Sequence, residues 1–222
     1  MNELELLRRV PLFSDMEQED LAIIRAAASL RRLPRNSVLF CEGDPGETLF
    51  LVLSGKVKAT LTAEDGREVT LSHLGPGDIV GEMALFDMSE RRSATVSAVS
   101  DCELLAVSGE TFLRVVEENA SIAKAVIRTL TTRLRETSSR IAGLVFLDAY
   151  RRLGQYLLDL SEKEGRVLAD KSVLIERPTH QDIANYIGSS RETVSRMLKD
   201  LEHQKLIRVV GRKIILFRGG RN

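Results

Sequence analysis

Cysteine and histidine are scarce in this chain, and neither is supplied in a pattern that could hold a metal. The 222 residues contain two cysteines and three histidines. Cys41 and Cys102 stand far apart with no CxxC pair. That excludes a zinc ribbon and a disulfide framework, and fits a reducing cytoplasm. No apolar run approaches the roughly 18 residues that would span a bilayer, and no charged-then-apolar leader opens the chain, so neither secretion nor membrane insertion is expected. Net charge is missing as well, since 32 basic residues balance 32 acidic ones. The zero conceals a split. Met1 to Asp148 carries 17 basic against 23 acidic residues, a net −6, whereas Ala149 to Asn222 carries 15 against 9, a net +6. Only the C-terminal third is therefore suited to meet a polyanion.

The length suffices for two compact domains. Residues 1 to 30 read as short amphipathic helices, with Pro11-Leu12-Phe13-Ser14 as a loop and Ser14 capping a helix that carries Leu21, Ile23 and Ile24. From Leu33 to Val107 short β-rich runs alternate with turns about every ten residues. The runs are Val38 to Phe40, Leu49 to Leu53, Lys56 to Leu61, Val69 to Leu74, Ala94 to Val99 and Glu103 to Val107. Asp65-Gly66 is a strong hairpin signal. Such a series predicts an antiparallel barrel or jelly roll.

Between Glu110 and Leu147 the pattern changes to helical period. Apolar residues recur at Ala123, Ile127, Leu130, Leu134, Ile141 and Leu144, a heptad seam broken at Thr137-Ser138. No Pro or Gly interrupts the segment before Gly143, so one helix of roughly 35 residues is expected. A core helix with one tolerated Thr would fit the segment taken alone. A helix of that length needs more cover than small domains offer, and a second copy of itself is the natural partner.

Asp148 then caps a helix from Tyr150 to Leu160, and a loop and a strand-like Val173-Leu174-Ile175 follow. Farther on, Thr179 caps a helix whose inner face is Ile183, Ala184 and Ile187. Gly188 ends it, and Ser190 caps a second helix with Val194, Met197, Leu198 and Leu201 inward. A hairpin around Gly211-Arg212 follows. Two short helices, a tight turn and a hairpin predict a winged helix-turn-helix. The overall expectation is an α+β chain: residues 1–109 a β jelly roll with N-terminal helices, 110–147 a dimerisation helix, 148–222 the winged helix-turn-helix.

The second helix of such a motif enters the major groove with its N-terminal turn foremost. Here that turn is Arg191-Glu192-Thr193, with Arg196 one turn on. Arginine can fork onto guanine O6 and N7, and glutamate can accept from cytosine N4. Thr179, Ser189, Ser190 and Lys199 suit phosphates instead. An ordinary solvated charge cluster is the competing reading; the caps, turn, wing and local net charge weigh against it. The second candidate site is Gly81 to Thr95, at the mouth of the barrel. Arg92 can pair bidentately with a phosphate, with Ser93 and local N–H groups completing the shell, and Glu82 can accept from a hydroxyl donor. The same two side chains would equally make a structural salt bridge.

Gly81-Glu82-Met83-Ala84-Leu85-Phe86 through Arg92-Ser93-Ala94-Thr95 resembles the phosphate-binding cassette of cyclic-nucleotide-binding domains. Ser190-Arg191-Glu192-Thr193-Val194-Ser195-Arg196 resembles the recognition helix of the CRP/FNR superfamily, and the likeness spans nearly the whole chain, including Phe146-Leu147-Asp148. The resemblance implies a homodimeric transcription regulator that binds cAMP and double-stranded DNA and works with RNA polymerase. It implies that Gly81, Glu82, Met83, Ala84, Arg92 and Ser93 surround the ligand, with Glu82 on the ribose 2′-hydroxyl, Arg92 and Ser93 on the cyclic phosphate, and Thr137 and Ser138 on the adenine, one of them from the partner subunit. On the DNA side it implies Thr179, Gln181, Ser189, Ser190, Arg191, Glu192, Thr193, Arg196 and Lys199, reading TGTGA-like inverted repeats.

Departures from other branches narrow the choice. Residues 1–40 hold no cysteine cluster for iron and sulfur, and Gly81-Glu82 stands where haem sensors place Cys and His. Arg91 beside Arg92 is an extra cation, so a ligand with more phosphate charge, such as cyclic di-GMP, stays open; a regulator active without ligand is a separate alternative. A cupin-like enzyme is not expected, because the barrel half has only His73.

Overall fold

Leu49 to Val52 is apolar without alternation because its strand is covered on both faces. The computed structural model describes residue 13, residues 18–87 and residues 90–217, and the chain divides into two units after Glu136. The first unit holds α1 (Gln18–Ala26), β1 (Ala28–Leu33), β2 (Val38–Phe40), β3 (Thr48–Ser54), β4 (Val57–Thr62), β5 (Glu68–Leu74), β6 (Ile79–Val80), α2 (Met83–Phe86), β7 (Thr95–Ala98), β8 (Cys102–Ser108), α3 (Gly109–Glu118) and most of α4 (Ala120–Phe146). Its strands form two antiparallel four-stranded sheets, ordered β1-β8-β3-β6 and β2-β7-β4-β5. Between them lies a core that includes Phe50, Val52, Val57, Val96 and Leu104. The alternate residues Leu49, Leu51, Leu105 and Val107 point to the outer face of the first sheet, where Leu21, Ile24, Phe112, Val115, Ile122 and Val126 cover them. Period-two geometry thus feeds two cores from one strand.

Three strands have no counterpart among the sequence expectations. β1 reads ASLRRL and leaves four of its residues exposed, so only its pairing with β8 makes it a strand. β6, and β9 in the second unit, are two-residue strands too short to carry a period. The expected loop Pro11 to Ser14 and the Ser14 cap lie outside the described residues, apart from Phe13, which is buried.

The expected single helix from Glu110 to Leu147 is two helices. α3 is capped by Ser108, whose hydroxyl accepts from the Thr111 N–H. It ends at Asn119, which is extended (φ −129°, ψ 97°) and whose carboxamide oxygen accepts from Ser121 Oγ at 3.1 Å. Asparagine offers the backbone such local alternatives to a helix. α4 is 27 residues, about 40 Å, long. It buries Ile122 and Val126 against the barrel, with Leu130 partly covered there. Its other face leaves Ile127, Leu134, Ile141 and Leu144 at least half exposed. No helix among the described residues is long and apolar enough to cross a membrane.

The second unit continues with α5 (Ala149–Glu164), β9 (Arg166–Val167), β10 (Val173–Glu176), α6 (His180–Ile187), α7 (Arg191–His203), β11 (Ile207–Val210) and β12 (Lys213–Leu216). Asp148 caps α5 by accepting from the Arg151 N–H at 2.8 Å. The sheet order is β11-β12-β10-β9, and β11-β12 is the expected hairpin, turning at Gly211 with φ +57°. All the residues read as inward on α6 and α7 are buried, and they share one core with Leu153, Leu157, Val173, Ile175 and Ile214. Ile183 sits at the centre with no exposed surface. Ile183→Ala should destabilise the protein by about 2–5 kcal/mol, read as a lowered urea midpoint for loss of C-terminal helicity.

Candidate functional site

At the barrel mouth, the turn Gly43 to Gly46 is laced to the strand-like segment Glu90 to Arg92. The Gly43 N–H donates to the Arg92 carbonyl, Arg92 N–H to Asp44 and Gly46 N–H to Glu90, each at 2.9 Å. This lacing sets the backbone of Arg92, and the side chain then turns inward. Its Nη1 donates to the Gly81 carbonyl at 2.9 Å and its Nη2 to the Thr48 carbonyl at 2.8 Å. The guanidinium stacks 4.3 Å from the centre of the Phe40 ring and 5.9 Å from Phe50. Nε is buried and has no partner. Gly81 makes room for this arrangement. Its φ is +85°, and a Cβ there would lie 2.3 Å from Arg92 Nη1, so both conformation and space call for glycine. Burial pulls the Arg92 pKa below the usual guanidinium value, opposed by Asp44 and Glu82, yet the group remains a cation.

Glu82 is 2% exposed, and its partner is not Arg92. Arg133 of α4 donates from Nη1 to Glu82 Oε1 at 2.5 Å and from Nη2 to the Ile79 carbonyl at 2.6 Å. The salt bridge that sequence spacing allowed between residues 82 and 92 is thus replaced by one to the long helix. Arg133 had a signal in principle: a buried carboxylate needs a cation, and α4 offers several.

The structure brings Gly81, Glu82, Met83, Ala84, Arg92 and Ser93 together. Met83 and Ser93 are exposed, with Ser93 Oγ 3.5 Å from Met83 Sδ. Ala84 is buried, and Gly46 packs so close to it that a Cβ on Gly46 would meet Ala84 Cβ at 2.2 Å. Arg91 donates to the Gly43 carbonyl at 3.0 Å and is exposed. Thr137 and Ser138 belong to the second unit and are exposed on α4, with Thr137 one helical turn beyond Arg133.

In the second unit, each helix of the pair starts on a hydroxyl cap. Thr179 accepts from the Asp182 N–H at 3.1 Å and Ser190 from the Thr193 N–H at 3.2 Å. Gly188 ends α6 in the left-handed conformation, φ +64°, which turns the chain into the second cap within two residues. The open face of α7 forms a groove of about 540 Å³ lined by Arg191, Glu192, Ser195, Arg196, Lys199 and Asp200. Asp200 and Ser195 were not expected there. The backbone N–H of Glu192 and the Ser190 hydroxyl hold the Glu192 carboxyl below its ordinary range, so it presents acceptors only. Gln181 is exposed and donates to Asn185 Oδ1 at 2.7 Å, and Ser189 is half-buried in the turn.

The barrel-mouth cluster and the helix pair fall within two matched family models. The cyclic nucleotide-binding domain matches residues 30–119, and the Crp-like helix-turn-helix domain matches residues 151–218. The CRP-like cAMP-activated global transcriptional regulator of Mycobacterium tuberculosis is 31% identical over 96% of this chain and 94% of its own length. The cAMP-activated global transcriptional regulator CRP of Salmonella typhimurium is 35% identical over 85% and 89%.

The chain belongs to the CRP/FNR superfamily of transcription regulators.

Among solved structures, the c-di-GMP-responsive global regulator CLP of Xanthomonas campestris superposes with a TM-score of 0.81 at 30% identity, covering 91% of this chain and all of that one. The superfamily is one of DNA-binding regulators with cyclic-nucleotide-binding domains, not of enzymes. Among the described residues no group of three or more His, Cys, Asp or Glu is placed to hold a metal ion.

For this CRP/FNR protein the Glu82–Arg133 pair has a measurable coupling. Arg133→Ala should cost about 3 kcal/mol or more, because it strands a buried carboxylate. The double variant with Glu82→Gln should recover part of that loss, and a double-mutant cycle on thermal unfolding would read a coupling on the order of 1–3 kcal/mol. Strictly additive effects would deny the pair any energetic role.

Proposed function

We propose that this protein is a homodimeric regulator that binds cAMP at the barrel mouth and, in response, reads TGTGA-like inverted repeats with α7. The observation that carries the reading is the ion pair from Glu82 to Arg133, because it links the buried carboxylate of the barrel mouth to the long helix. A ribose hydroxyl donating to Glu82 would share that carboxylate with Arg133. The cyclic phosphate would meet Ser93 and the Arg92 guanidinium, whose Nε is a buried donor in want of an acceptor. Adenine against Thr137 and Ser138 would then bear on α4 one turn past Arg133. Ligand binding shifts the regulator only by its differential affinity for the two states of that helix.

The dimer rests on the exposed stripe Ile127, Leu134, Ile141 and Leu144, which follows the heptad seam of a helix pair. In this reading residues 1–109 sense the nucleotide, 110–147 dimerise and 148–222 bind DNA, in the cytoplasm and together with RNA polymerase. The relatives named as cAMP-activated support the ligand. A second reading keeps the regulator and changes the signal to cyclic di-GMP or to none. Exposed Arg91 favours the cyclic di-GMP form of it by adding a cation at the rim, as does the c-di-GMP-responsive relative.

Fluorescence anisotropy of a labelled TGTGA inverted repeat, titrated at fixed salt with and without cAMP, separates the readings. We expect tighter binding with cAMP and no effect of cyclic di-GMP; affinity indifferent to cAMP would reject the first reading. Arg92→Ala should abolish the response while leaving the circular dichroism spectrum unchanged. Replacing Glu192 by Gln should reduce discrimination at its base pair by about 1–3 kcal/mol. A uniform loss of affinity across sequences would show that Glu192 does not read bases.

A further inference from the structure

The two helices of the DNA-binding pair are joined by a polar contact that lies outside their shared apolar core. His180, the first residue of α6, places Nδ1 2.6 Å from Ser195 Oγ on α7. Ser195 Oγ in turn donates to the Arg191 carbonyl at 2.9 Å. A hydroxyl has one proton, so with that proton on Arg191 the Ser195 oxygen accepts from an Nδ1–H of His180. The neutral ring then keeps a lone pair on Nε2. Protonation there adds a charge and a second donor while leaving the bond to Ser195 intact. The chain His180–Ser195–Arg191 carbonyl thus ends on the first turn of α7, from which Arg191 and Glu192 project.

The surroundings oppose that proton in the free protein. Burial, and then the positive charges of Arg177 before α6 and Arg191 on α7, hold the imidazole below its ordinary value. On its own helix the nearest carboxylate, Asp182, accepts from Thr179 Oγ1 at 2.6 Å. In a helix-turn-helix the first helix crosses the DNA backbone while the second presents its N-terminus to the groove. A phosphate arriving at the N-terminal turn of α6 would offset both arginines and accept from a protonated Nε2.

We propose that His180 is a positioning residue: through Ser195 it fixes the turn carrying Arg191 and Glu192, and on contact with a DNA phosphate it takes up one proton. The inference rests on the DNA-binding reading of this helix pair. Its sign is definite. The bound ring holds the proton more tightly than the free ring, so DNA affinity rises as pH falls through the interval between the two values.

The test is anisotropy at constant ionic strength from about pH 8 to about pH 6, in saturating cAMP, on a TGTGA inverted repeat and on a scrambled duplex of equal length. Wild type, His180→Asn, His180→Ala and Ser195→Ala are compared. Asparagine can donate to Ser195 but cannot titrate. Across that range wild type should gain roughly threefold to tenfold more affinity than His180→Asn, on both duplexes. His180→Asn should keep the preference for the inverted repeat that His180→Ala loses. Ser195→Ala should lose that preference yet retain the pH dependence. Superimposable pH profiles for wild type and His180→Asn would overturn proton uptake. Full sequence preference in His180→Ala and Ser195→Ala would overturn positioning. Because the scrambled duplex reads the proton without TGTGA recognition, an error in the assumed operator sequence is distinguishable from failure of this inference. No binding to either duplex would overturn both.

Discussion

Two charges buried at the mouth of a β-barrel constrain most of what surrounds them. Glu82 and Arg92 lie ten residues apart and are both at most 5% exposed, and a buried charge persists only with partners. Each finds different ones. Arg92 takes two backbone carbonyls and the face of Phe40, so its cation is held by dipoles and a π system rather than by an anion. Glu82 takes Arg133 from outside the barrel. Keeping the two apart leaves the Arg92 cation without direct pairing to the neighbouring carboxylate. The glycines of this region follow from that crowding: Gly81 admits the guanidinium, and Gly46 admits the short helix that carries Ala84.

The Arg133 partnership also gives α4 its two-faced character. The side toward the barrel carries Ile122, Val126 and then Arg133, an apolar row ending in a charge that reaches Glu82. The other side keeps its large apolar residues exposed. One helix therefore serves a covered core on one face and presents an uncovered seam on the other, and the polar pair Thr137-Ser138 follows where the barrel face ends. Within the second unit the end of the same helix is tied to α6. Arg140 stacks 4.2 Å from the centre of the Tyr186 ring, and Tyr186 lies 4.4 Å from Tyr156 of α5. Arg152 adds donors to the Leu147 and Ile187 carbonyls at 2.6 and 2.7 Å. The last turns of α4 and the first helix of the DNA-binding pair are thus held together by a cation–π contact, a tilted pair of rings and charge-assisted bonds.

Much of this architecture was legible from local chemistry. The strands announced themselves by β-branched runs between turn residues. Thr179, Gly188 and Ser190 announced the helix pair, because caps and left-handed turns are set by the residue on the spot. The inward rows of α6 and α7 followed from period alone. β1 and β6 did not: the first reads as a polar Ala- and Arg-bearing segment and the second has two residues, so both exist because β8 and β3 offer edges. Asn119 was another loss, since the local bond its carboxamide makes at the break is one of several that an asparagine can form.

Sequence by itself determined which residue types stand at the barrel mouth and on the reading helix, because those motifs are contiguous and their chemistry is intrinsic to the side chains. It did not determine who pairs with whom. That Glu82 bonds Arg133, 51 residues away, rather than Arg92, and that His180 reaches Ser195 across a turn, were decided by tertiary packing. A buried or half-buried polar group takes whichever partner the fold delivers within hydrogen-bond range, and the fold is a long-range property that no local spacing encodes.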